Sequence, residues 1–129
     1  MAKVAAPAVF DTSVFVGKEN RSLVGLEGWA PIVSVVTIAE LMLGVSLART
    51  EDVRLQRAAT LTDALTARVV PIDIALVAAA WCKLRVALRK RIPANDSWVA
   101  ATALALGVPL VTRDDDFDAA SDIIEVVRI

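Results

Sequence analysis

The chain has 129 residues, a net charge of −1 and 57% hydrophobic residues, which fits one domain with a well-filled core and excludes nucleic-acid binding through bulk positive charge. It contains no histidine, no tyrosine and a single cysteine, Cys82. Ser-His-Asp and Cys-His hydrolysis, histidine-driven cleavage, a Cys/His zinc site and an internal disulfide are therefore all excluded.

No run of about 18 uncharged apolar residues occurs, so no membrane span is expected. The apolar stretch before Asp11 is too short for a convincing leader, and a cytoplasmic protein is expected. Residues 4–10 read as a short buried strand ending at Asp11, with Asp11-Thr12-Ser13 as the turn beyond it. Residues 21–28 are a weak helix candidate. Residues 31–36 form a second β-branched strand, and from Thr37 the pattern turns helical, with Ile38, Leu41, Met42 and Val45 on one face. In Thr37-Ile38-Ala39-Glu40 the spacing also fits a capping box.

Residues 52–67 predict a helix and residues 68–72 a third strand. Asp73 is placed to cap a long helix running to about Arg91, closed by Pro93. The next helix starts at Asn95 or Asp96 and ends at Gly107 as a C′ glycine. Residues 108–112 predict a fourth strand, the Asp-rich segment a turn and short helix, and residues 123–127 a last strand. This alternation implies an α/β fold, a single domain over residues 1–129 with a mostly parallel sheet of about five strands.

Open sheets of this kind build their sites beyond the carboxyl ends of the strands. Asp11 and Asp114 fall there, and Asp96 falls at a helix start, where a dipole favours an acid. Each acid alone has an ordinary role as a cap or Asx turn. Together with Glu40 they form an acidic set that repels itself unless a cation neutralises it. Carboxylates without His or Cys suit Mg²⁺ or Mn²⁺. Five cations and no acid lie between Lys83 and Arg91. They include Arg85, Arg89, Lys90 and Arg91, candidates for one bank of a phosphate groove or for a solvated helix face. Trp29, Trp81 and Trp98 read as core or interface residues first, and as base-stacking residues second.

The blocks FDTSVF, TIAELMLG and NDSWVAATALALGVPLVTRDDDF, in this order, resemble PIN-domain ribonucleases, in particular the toxins of VapBC-type toxin–antitoxin pairs. The resemblance spans essentially the whole chain and is strongest from Asn95 to Phe117. It implies a PIN-like three-layer α/β/α domain and a Mg²⁺- or Mn²⁺-dependent endoribonuclease. The implied catalytic acids are Asp11, Glu40, Asp96 and Asp114, with Asp11, Asp96, Asp114 and Asp116 toward the metal. Thr12, Ser13 and Thr112 are implied as supporting polar residues. An RNA substrate, a VapB-like antitoxin and a homodimer are the implied partners. A non-catalytic module of the same fold and a response-regulator-like phosphoacceptor stand as alternatives. The second wants an acidic pair after the first strand and a late lysine, and neither is present.

Overall fold

A computed structural model describes residues 4–17 and 26–129. Five parallel strands carry the fold: β1 (Ala6–Phe10), β2 (Trp29–Ser34), β3 (Arg68–Val70), β4 (Leu110–Thr112) and β5 (Val126–Arg128). Their spatial order is β3-β2-β1-β4-β5, so the chain builds outward from β1 on one side and then crosses to the other. The helices are α1 (Thr12–Gly17), α2 (Val35–Ser46), α3 (Glu51–Ala64), α4 (Ala79–Leu88) and α5 (Ala94–Leu106).

The period-two alternation of the strands separates two cores. Val9, Ile32, Val70 and Leu110 face α4 and α5, with Leu84, Leu88, Ile92, Val99 and Phe117. Ala8, Phe10, Val33 and Val111 face the other way, toward Val14, Phe15, Ile38, Leu41 and Ala64. Both sheet faces are thus covered, which accounts for the high apolar content of so short a chain. In α5 the small residues Ala100, Ala101 and Ala103 are fully buried, so this helix is apolar over much of its circumference.

Several boundaries differ from the sequence expectation. Helix α2 begins at Val35, two residues before Thr37, because the Ser34 hydroxyl caps it by accepting from the Val36 amide at 3.1 Å. Thr37 is therefore inside the helix and buried, with no hydrogen-bond partner for its hydroxyl. The capping-box reading of Glu40 falls with that. Asp73 does cap, accepting from the Leu76 and Val77 amides. The helix it starts is not continuous: a π-helical turn (Ile74–Ala78) leads into α4, and a 3₁₀ turn (Arg89–Arg91) follows it. Pro93 is the N-cap of α5, so Asp96 lies in its first turn rather than at the cap. Gly107 ends α5 at φ 65°, the left-handed cap expected of glycine. β1, β3, β4 and β5 come out shorter than their apolar runs, β5 starting at Val126 rather than Ile123, while β2 keeps its length but lies two residues earlier than expected, at Trp29–Ser34. Residues 21–25 of the weak helix candidate lie outside the described residues, and Glu27–Gly28 form a turn.

Candidate active site

Strand order reverses between β1 and β4, and the two pair in register at Phe10 and Val111. The residues just past that pair therefore meet at the carboxyl edge of the sheet, where such folds form sites. Asp11 is one of them, and only 3% of its surface is exposed. A polar side chain so deeply placed needs hydrogen-bond partners. The Thr112 hydroxyl donates to Asp11 Oδ2 at 3.0 Å, and the Ser13 amide approaches the same oxygen at 3.4 Å.

The hydroxyl hydrogens around Asp11 have defined directions. Thr112 has one hydrogen, directed at Asp11, and its oxygen accepts from the Asp114 amide at 3.0 Å. Ser13 Oγ lies 3.2 Å from Thr112 Oγ1 and accepts from the Arg113 amide at 3.0 Å. Ser13 must then donate to Thr112, because each hydroxyl has a single donor and two acceptor positions. A line of donors runs from the Arg113 amide through Ser13 and Thr112 to the Asp11 carboxylate.

The other acids join the same pocket. Glu40, projecting from α2, accepts from the Thr12 hydroxyl at 2.8 Å, a bond across 28 residues of sequence. This tertiary bond replaces the local one expected with Thr37. Asp96, partly buried in the first turn of α5, has its carboxyl pushed up to about 7. Burial is the largest cause, followed by the charges of Asp11, Asp116, Glu40 and Asp114. Asp114, at the rim, is also raised, first by partial desolvation and then by Asp11, Asp116 and Asp115, while Arg128 opposes.

Five acids from β1, α2, α5 and the segment after β4 thus share one negative pocket. Asp115 weighs on Asp114 but is not among the charges acting on Asp96. Asp118 instead pairs with Arg128 at 3.6 Å, a local role for it. Arg113, beside Asp114 in the chain, pairs with no acid among the described residues: its Nε and Nη2 are buried without an acceptor.

The donor chemistry fits a hard divalent cation, since the groups gathered here are carboxylates and hydroxyls and the neighbouring acids raise the proton affinity of Asp96 and Asp114. Among the described residues no three acids are close enough to hold an ion together. Coordination by one or two carboxylates with retained waters, the habit of Mg²⁺, is the mode this spacing admits.

Two further sequence candidates are displaced from the acids. Arg85, Arg89, Lys90 and Arg91 line an open cleft with Ala87 and Leu88 at the end of α4. Trp81 and Trp98 stack face to face, ring centroids 4.5 Å apart and 8° from parallel, and pack against the α4–α5 core. The Trp81 indole N–H donates to Ser97 Oγ at 2.9 Å, so this pair is structural.

The sequence profile of the PIN domain family matches residues 8–123, a span that takes in β1, the switch point and all five acids. The chain belongs to the PIN-domain family. As a PIN protein it is similar to Ribonuclease VapC5 of Mycobacterium tuberculosis, 38% identical over 138 aligned positions that cover 100% of both chains. It is similar also to Ribonuclease VapC4 of the same organism, 42% identical over 131 positions, covering 95% of this chain and 96% of that one. Among solved structures, VapBC-5 of M. tuberculosis, a member of the VapBC family of toxin–antitoxin systems, superposes with a TM-score of 0.84 at 36% identity. That match covers 96% of this chain and 99% of the other. FitAcB of Neisseria gonorrhoeae matches with a TM-score of 0.77 at 26% identity, over 93% and 96% of the two chains. The PIN fold and the three-layer architecture are as the sequence implied.

Proposed function

We propose that this PIN protein is the ribonuclease toxin of a toxin–antitoxin pair, an endoribonuclease that hydrolyses RNA phosphodiester bonds with Mg²⁺ or Mn²⁺. One observation carries the reading: the Asp96 carboxyl is pushed up to about 7, first by burial and then by the charges of Asp11, Asp116, Glu40 and Asp114 gathered around it. A structural cap has no use for four like-charged neighbours, and a cation site needs them. The relatives named ribonucleases, VapC5 and VapC4, support RNA as the substrate.

Asp11, Asp96, Asp114 and Asp116 would hold the ion, one or two of them directly and the others through its retained waters. A divalent cation there would supply a water acidified enough to attack at neutral pH, and positive charge against the phosphate oxygens. The chain's own residues prepare this. The Ser13–Thr112 line holds the Asp11 carboxylate in place. Thr12 holds Glu40 at the pocket. Asp96, whose carboxyl is pushed up to about 7, would exchange its proton for a bound cation. No imidazole is needed as base, in keeping with a chain that has none.

An apolar groove adjoins Glu40, lined by Thr12, Val16, Leu41, Gly44, Leu47 and Arg57 among others. Met42, Leu43 and Leu55 are exposed on the same two helices, α2 and α3. We assign this groove to an apolar helix of the antitoxin, which would then lie beside the acids and block them. The relatives solved as VapBC complexes support that partner.

The test is cleavage of labelled RNA with Mg²⁺, Mn²⁺ or EDTA, comparing wild type with Asp11→Asn and Asp96→Asn. Metal-dependent cleavage lost in both folded variants is expected. Cleavage that persists in EDTA would overturn the reading.

A further inference from the structure

An acidic pocket repels the substrate assigned to it, so the backbone of an RNA needs positive charge elsewhere on the same face. Helices α4 and α5 pack together and are joined by residues 89–93, so the end of α4 and the start of α5 share one end of the molecule. That end carries Asp96 in the first turn of α5. Arg91 and Asp96 are five residues apart, at most about 17 Å even fully extended.

The joining turn has an unusual construction. Leu88 and Ile92 are buried, at 3% and 1% exposure, and anchor it on either side. Between them Arg89, Lys90 and Arg91 all face solvent. Arg85 Nη1 donates to the Ile92 carbonyl and Arg91 Nη2 to the Ala87 carbonyl, each at 3.0 Å, so two of the arginines fasten the turn themselves. Each guanidinium has five N–H donors and keeps others free. No acid among the described residues forms an ion pair with Arg85, Arg89, Lys90 or Arg91.

Arg89 also has φ 53° and ψ −121°. Those are the angles of the first central residue of a type II′ turn, a position that suits glycine and strains any residue with a Cβ. It is the one non-glycine residue at positive φ among those described. A solvated helix end would gain from glycine here. An arginine kept against that strain points to work for its side chain.

We propose that Arg89, Lys90 and Arg91, with Arg85, form a seat for the phosphodiester backbone of single-stranded RNA, a few nucleotides from the acids. This rests on the ribonuclease reading for the choice of ligand. The seat grips phosphates and reads no base, so it favours no sequence.

The test measures binding of a short labelled single-stranded RNA of mixed sequence by fluorescence anisotropy, in EDTA, across a series of KCl concentrations. The variants are Arg89→Ala/Lys90→Ala/Arg91→Ala and, as the lesser perturbation of the fold, Lys90→Glu alone. Each phosphate contact on single-stranded RNA contributes about 0.7 to the slope of log K against log salt. The triple variant is expected to be shallower than wild type by about 2, and Lys90→Glu by about 0.7 or more. An unchanged slope in Lys90→Glu with an unchanged melting temperature overturns the seat. So does a wild-type slope near zero. Because binding is read without metal, a protein that shows the loss of slope but cleaves no RNA in Mg²⁺ or Mn²⁺ keeps the seat and loses the ribonuclease reading.

Discussion

Replacing Asp96 with Asn should make the metal-free protein more stable, against the usual expectation for a residue at the centre of a site. The Asp96 carboxyl is raised from 3.8 to about 7. Between those values the folded chain binds a proton more tightly than the unfolded chain, so stability from this group is complete below the lower value and is lost as pH rises through the upper. Three units would correspond to about 4 kcal/mol in a dry site. Asp96 is only partly buried and water screens it, which leaves about 1–2 kcal/mol at pH 7.5. For a chain of this size that is roughly 3–8 °C in Tm. The measurement is a set of denaturant or thermal melts in EDTA from pH 4 to 8. Asp96→Asn should match wild type near pH 4 and lead it by a gap that widens to pH 7 and then levels. Saturating Mn²⁺ should close or invert the gap, because only the wild type gains from binding. A variant no more stable than wild type in EDTA at pH 7.5, or a gap independent of pH, would refute the repulsion argument.

Two other outcomes follow from the geometry. Thr112→Val keeps the shape of a fully buried side chain but removes the hydroxyl that Asp11 depends on. It should cost about 1–3 kcal/mol of stability and weaken Mn²⁺ affinity, read by calorimetry, by roughly 10–100-fold, while Thr112→Ser retains most of both. Equal Mn²⁺ affinity in Thr112→Val and wild type would show that the hydroxyl does not orient the acid. Arg89→Gly should relieve the positive-φ strain and raise stability by about 1 kcal/mol in a urea melt, while weakening RNA binding. Lower stability in that variant would mean the turn is not strained.

How much was legible in the sequence depended on whether local or distant contacts decided each feature. Asp11 and Asp114 could be found because each follows a short apolar run that can only be a buried strand. Glu40 could be found as a residue but not in its role. Ser34 and Thr37 are both competent caps, and the choice fell to Ser34 because β2 keeps its pairing with β3 as far as Ser34, opposite Val70. The Thr12–Glu40 bond, which gives Glu40 its place, joins elements that no periodicity relates. Four of the strands are shorter than the apolar runs that mark them, because apolar residues such as Val4 and Ile72 flank the paired stretch while staying exposed outside it. The break in the helix after Asp73 had no signal at Arg89, since nothing in the residue types marks an arginine for a glycine geometry. The basic run itself was plain, and its rigidity was not.

The line of hydroxyls that fixes Asp11 joins residues 101 apart in the chain. Asp11 is therefore synthesised long before the Thr112 that fixes it. A growing polypeptide that has emerged only as far as α5 lacks β4, hence Thr112, Asp114 and Asp116, and has no place to assemble the pocket. Catalytic competence therefore arrives only once β4 has joined the sheet, after α1 to α5 have all been made.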